Sequence, residues 1–183
     1  MISPAARNVF QQMVVRAIQA SPLVLADQAR LIEVGPTLLR VQYEQAVLLT
    51  VSSYVFRLTL LIHFRDDSAT RAHFAAVNRV PAAEMDAQAF NDAIRECGNI
   101  CCGNLNRDLV HVFPHVGMST PNIIDHRCVA YLGKLDADYV QHFEMGDSAG
   151  PPFALTLCVK AFAALDFAAD FAAEEQTGEL EMF

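Results

Sequence analysis

The side chains most able to do chemistry lie in one stretch, Asp92-Ala-Ile-Arg-Glu96-Cys-Gly-Asn99-Ile-Cys-Cys-Gly103-Asn104. On a helix turning about 100° per residue, Phe90, Ile94, Cys97, Cys101 and Leu105 share one side. Asp92, Glu96, Asn99, Gly103 and Asn106 share roughly the opposite one. Glu96 and Asn99 are three residues apart, so their side chains are neighbours pointing the same way. A carboxylate fixed beside a carboxamide can pair with a partner's cation while the amide holds a water without taking its proton. Phosphoryl transfer needs little more than such in-line positioning when a metal and the phosphorylated partner supply the charge stabilisation. Polar pairs at this spacing are common on amphipathic helices, so from the spacing alone an ordinary solvated face is the commoner reading.

The same stretch carries two glycines and no lysine on its outer stripe. Gly98 and Gly103 each cost a helix about 1 kcal/mol relative to alanine. The expected return is close approach of another backbone. Gly103 lies one turn beyond Asn99 on the same face, where a docked partner would need room.

Glu96-x-x-Asn99 followed by Gly103-Asn104, with Asp92 four residues before the glutamate and Pro121 after Ser119-Thr120, resembles the active-site pattern of the CheX/CheC-type chemotaxis phosphatases. The likeness is concentrated in residues 92 to 124, and one such helix is found, which is closer to CheX than to CheC. The resemblance implies a partner, a CheY-like response regulator carrying an aspartyl phosphate and its own Mg2+. It implies that Asn99 enters the receiver's active site and orients the attacking water, and that Glu96 pairs with the receiver's active-site lysine. Asp92, Gly103 and Asn106 are then partner-binding residues, Pro121 is structural, and this chain binds no cofactor or metal itself. A homodimer joined at sheet edges is a further expectation. The alternative within the same likeness is a non-catalytic module that docks a receiver or signalling scaffold.

Other constellations carry less. Cys101, Cys102, His111 and His115 offer two thiols and two imidazoles, but adjacent helical cysteines diverge by about 100° and no Cys-x-x-Cys knuckle is present. Buried core thiols are the default, with a thiol or metal sensor as the third reading. His115, Ser119 and Asp125 have the residue types of a hydrolase triad without a nucleophile elbow. His63, His73, His126 and His142 read as surface or strand histidines. There is neither a P-loop nor a dinucleotide glycine fingerprint.

The elements that must position Glu96 and Asn99 are legible in outline. Ser3-Pro4 opens a helix whose stripe is Val9, Phe10, Met13, Val14, Ala17 and Ile18, ending near residues 20 to 22. From Leu31 to Phe64 the period falls to two, predicting half-buried antiparallel strands with breaks at Gly35-Pro36 and Glu44-Gln45. Leu39, Val41 and Tyr43 are taken as one strand face. Asp67 or Ser68 caps a short helix to about Val77, and Glu84 or Asp86 starts a long one to Leu109. Strands are expected at 119–124, around 129–132, at 139–143 and at 153–162, with a turn at Gly150-Pro151-Pro152. The fold class expected is α+β, an antiparallel or mixed sheet with long helices on one face. The domain is expected to span 1–165, followed by an acidic tail at 166–183.

Composition narrows the classes. In a chain of 183 residues, 53% are hydrophobic, enough for a sizeable core in one domain. A net charge of −8 argues against nucleic acid and weakly against an anionic membrane surface. Arg7, Asn8, Gln11, Gln12 and Arg16 break any leader-like apolar run, and no stretch reaches spanning length without polar interruption. Five cysteines form no disulfide framework, which points to a reducing, cytoplasmic setting.

Overall fold

The structure, a computed structural model, describes residues 1–24, 32–35, 42–145, 153–169 and 171. Helix α1 (Pro4–Gln19) starts where Ser3 Oγ accepts from the Ala6 N–H at 3.1 Å, with proline in the first turn. Strand β1 (Ile32–Gly35) precedes β2 (Gln45–Ser52) and β3 (Phe56–Phe64). Helix α2 (Ser68–Asn78) is capped by Asp67, whose Oδ1 accepts from both the backbone N–H and the hydroxyl of Thr70. Helix α3 (Ala87–Val112) begins at Asp86, whose Oδ1 accepts from the Ala89 N–H at 2.8 Å. Strands β4 (Gly117–Met118), β5 (Asn122–Asp125), β6 (Tyr139–Met145) and β7 (Phe153–Ala161) complete the sequence.

The sheet runs β1-β6-β7-β3-β2, with β4 and β5 both pairing along the outer edge of β2. Every strand pair is antiparallel. The apolar stripe of α1 and the inner side of α3 pack on one face of the sheet, against Val47, Leu49 and Val51 of β2 and Leu58, Leu60 and Ile62 of β3. The α+β architecture with helices on one face is therefore as the residue periodicities predict. Among the described residues no helix is long and apolar enough to cross a membrane.

Two expectations need correction. Residues around 129–132 form no strand. His126–Leu135 winds as 3-10 helical turns, started by Asp125, whose Oδ1 accepts from the Arg127 N–H at 2.8 Å. Three residues per turn put Val129 and Leu132 on one side, where they cover Ala46 and Leu61. That cover is also why β3 is not half-buried: seven consecutive residues, Leu58 to Phe64, are buried because both faces of this central strand are shielded. The Leu39 and Val41 positions and the 150–152 turn lie outside the described residues. Past Leu165, Phe167 packs edge-on against Phe10 (5.2 Å between ring centroids) and Phe113 (4.8 Å).

Candidate active site on helix α3

Helix α3 presents its expected inner face to the core: Phe90, Ile94, Cys97, Cys101 and Leu105 are all buried, joined by Cys102 and Leu109. Gly98 explains how closely the helix can lie. A Cβ there would stand 2.9 Å from Val47 Cγ1 and 3.2 Å from Leu49 Cδ1, so glycine permits the contact between α3 and β2. Gly103 is different. A Cβ there would meet nothing within 4 Å, so this turn of the helix is open.

Glu96 is exposed and Asn99 half-buried. The Asn99 Nδ2 donates to Glu96 Oε2 at 3.4 Å, a long bond that orients the amide without engaging its carbonyl oxygen. The pair points away from the sheet, one turn apart on a helix anchored by its buried side. Asp92 is exposed and accepts from Gln88 Nε2 at 2.8 Å and from Arg95 at 3.4 Å, so it stands among its own helix neighbours. Asn106, expected on the outer stripe, is half-buried, and its Oδ1 is shut off from solvent with no hydrogen-bond partner.

Beyond Gly103, Asn104 Nδ2 donates to the Ala20 carbonyl at 3.1 Å, and Arg107 donates to Asn104 Oδ1. Asp108, nearly buried, takes the Arg16 Nε at 3.2 Å. These side chains rim a hollow of about 380 Å³ between α1 and α3. Sequence reading did not single out Arg16, Arg107 or Asp108. Their positions follow from helix pairing, for which the only prior signal was polar residues on the flank of the α3 stripe.

The thiols offer no nucleophile beside the pair. Burial pushes Cys101 and Cys102 up to about 12, with neighbouring Cys102 adding to the effect at Cys101. Burial likewise raises Cys97 well above the ordinary thiol value, reinforced by Cys101 and Glu96. The triad residues are spent elsewhere. Ser119 Oγ accepts from the Thr50 N–H at 2.9 Å and donates to the Thr120 carbonyl, tying the break between β4 and β5 to β2. Asp125 caps the following helical turns and pairs with Arg127 at 2.7 Å. Pro121 sits immediately before β5, where a missing N–H is tolerated. Cys101 and Cys102 are buried whereas His111 and His115 are exposed. Among the described residues no three His, Cys, Asp or Glu side chains gather as a metal-ligand group.

No family model matches the sequence, and no curated protein matches it either. Solved structures do. A CheC-like superfamily protein from Shewanella sp. PV-4 superposes with a TM-score of 0.61 at 12% identity, covering 87% of this chain and 99% of that one. The chain has a CheC/CheX-like fold. A CheX–CheY–BeF3–Mg2+ complex from Borrelia burgdorferi matches with a TM-score of 0.60 at 14% identity, over 84% of this chain and 97% of that one. The chemotaxis protein CheX from Vibrio vulnificus gives 0.56 at 12% identity, over 84% and 97%. The resemblance drawn from residues 92 to 124 thus has its counterpart in the CheC/CheX-like fold of nearly the whole chain.

Proposed function

We propose that this protein accelerates hydrolysis of the aspartyl phosphate on a CheY-like response regulator. The observation that carries the reading is Glu96 and Asn99, side by side at 3.4 Å on a helix whose opposite face is locked into the core. Its support is the CheC/CheX-like fold, together with a structural neighbour solved as a CheX–CheY complex with BeF3 and Mg2+.

Asn99 contributes an amide whose carbonyl oxygen can accept from a water while its N–H groups donate, which fixes the water in line with the phosphorus. Glu96 contributes a negative charge that pairs with the receiver's lysine and sets the docking register. Open space at Gly103 admits the partner's backbone next to the pair. The Mg2+ belongs to the receiver, and it neutralises charge on the phosphoryl oxygens. No covalent intermediate forms on this chain. The energetic demand is modest: a hundredfold acceleration needs about 2.7 kcal/mol off the barrier, within reach of one positioned amide.

The test is phosphate loss from a phosphorylated CheY-like receiver with Mg2+, read beside receiver affinity. Glu96→Ala is expected to weaken both binding and acceleration. Wild-type binding without acceleration would instead define a docking module.

A further inference from the structure

The outer line of α3 continues past Asn99. Glu96, Ile100, Gly103 and Arg107 follow at steps of four, three and four residues, the spacing of one stripe along a helix. Glu96 and Arg107 are exposed, and Ile100, large and apolar, is 37% exposed. Gly103 leaves the turn between Ile100 and Arg107 open. The stripe reads acid, apolar, gap, base, and from Glu96 to Arg107 it runs about 16 Å at 1.5 Å per residue. Anchors at i, i+4 and i+7 on the outer side of a helix form the pattern by which a helix lies in a partner's groove.

Arg107 is placed for an anion that its own neighbours do not supply. Helix α3 holds two arginines, and Arg95 is paired with Asp92. Asp108, beside Arg107 in the sequence, is taken by Arg16 at 3.2 Å. Among the described residues Arg107 has no carboxylate partner. It donates to Asn104 Oδ1, and Asn104 Nδ2 donates to the Ala20 carbonyl at the end of α1 at 3.1 Å. A guanidinium steadied through one nitrogen keeps other N–H groups for a second acceptor. It stands on the rim of the hollow of about 380 Å³ between α1 and α3. In a chain of net charge −8, an acidic partner surface is repelled overall, so a fixed cation beside the site selects where an acid can be set down.

We propose that Arg107 determines partner specificity by taking a carboxylate of the receiver, presented at this hollow, while Ile100 packs on an apolar patch of the same receiver face. The role rests on the receiver reading of Glu96 and Asn99. It adds what the receiver must carry besides its lysine: an acidic residue some three helical turns along α3. Two charge pairs of opposite sense also fix the direction in which the receiver lies, because turning it end for end sets like charges together.

The experiment measures affinity and association rate for a CheY-like receiver carrying BeF3 and Mg2+, beside phosphate loss from the phosphorylated receiver. Arg107→Ala is expected to weaken binding about tenfold, chiefly through slower association, and to flatten its salt dependence. It should raise the receiver concentration for half-maximal phosphate loss by a similar factor, more than it lowers the maximal rate. Arg107→Glu should weaken binding further, and replacing one acidic residue of the receiver by lysine should restore it. Arg127→Ala removes the same charge from the 3-10 turns that cover the opposite sheet face and should bind as wild type does. Wild-type affinity in both Arg107 variants, with Asn99→Ala still losing acceleration, would overturn the role of Arg107 and leave the phosphatase reading standing. An equal loss in Arg127→Ala would overturn it as a mere effect of net charge. Binding of no receiver by wild type would overturn both readings. Binding that depends on Arg107 without acceleration would uphold the docking point and remove only the phosphatase reading.

Discussion

At the scale of single residues, side chains of similar chemistry have been sorted by depth. Four of the five cysteines, Cys97, Cys101, Cys102 and Cys158, are buried, while Cys128 is exposed. Burial holds the deep thiols protonated, with Cys158 at about 11, and only the thiolate reacts. Titration of the native protein with a thiol reagent at neutral pH should therefore show one fast thiol, the others appearing only on unfolding. Rapid labelling of Cys101 or Cys102 in folded protein would contradict the packing of α3. Glu96 and Asn99 were legible in the sequence because their relation is local: three residues on one helix fix a direction without tertiary knowledge. Asn106 shares that nominal stripe, yet its Oδ1 is enclosed. Helical angle alone cannot show where neighbouring elements close over the helix margin.

At the scale of elements, the two glycines of α3 separate packing from docking. Gly98→Ala places a methyl 2.9 Å from Val47 Cγ1. Overpacking of this kind costs roughly 1–3 kcal/mol, outweighing or cancelling the gain in helix propensity of about 1 kcal/mol. Gly103→Ala meets nothing and should raise stability by up to about 1 kcal/mol. The denaturant midpoint of Gly103→Ala should thus rise while that of Gly98→Ala stays level or falls, leaving Gly98→Ala the lower of the two. A midpoint for Gly98→Ala above that of Gly103→Ala would contradict the close contact with β2. Helix starts were readable at Ser3, and within one or two residues at Asp67 and Asp86, because capping is a local bond. The 129–132 segment was misread because a short apolar run does not by itself separate a strand from a helical turn, and the surface that Val129 and Leu132 cover belongs to β2 and β3.

At the scale of the whole molecule, burial of imidazoles should govern behaviour in acid. His63 is held down to about 3, first by burial and then by His126 and His142. His73, His126 and His142 are lowered too, each mainly by burial. In the unfolded chain these groups titrate near 6.5. A folded value below the unfolded one means that the unfolded state binds protons first as pH falls. The stabilisation is then complete above about 6.5 and is lost progressively toward 3, at a slope of about 1.4 kcal/mol per pH unit for each proton taken up. Chemical denaturation should show stability falling steadily from pH 7 to pH 4, and His126→Ala should shallow the slope. A flat profile over that range would place these rings in water. The buried histidines were invisible as a group in the sequence because His63, His126 and His142 come from separate elements, brought together by the pairing of β2 with β3 and β5 and by the register of β3, β6 and β7. The strands at 45–64 were legible, since period-two alternation needs only one strand to be read, whereas the shielding of both faces of β3 was not.

The central claim is that the Asn99 amide, carried on a rigid helix, positions water for attack on a receiver's phosphoryl group. The most direct measurement compares wild type and Asn99→Ala for the rate of phosphate loss from a phosphorylated CheY-like receiver in Mg2+, with affinity for that receiver measured alongside. Acceleration should vanish in Asn99→Ala while affinity stays within a few-fold of wild type. Undiminished acceleration in Asn99→Ala, at equal affinity, would contradict the account.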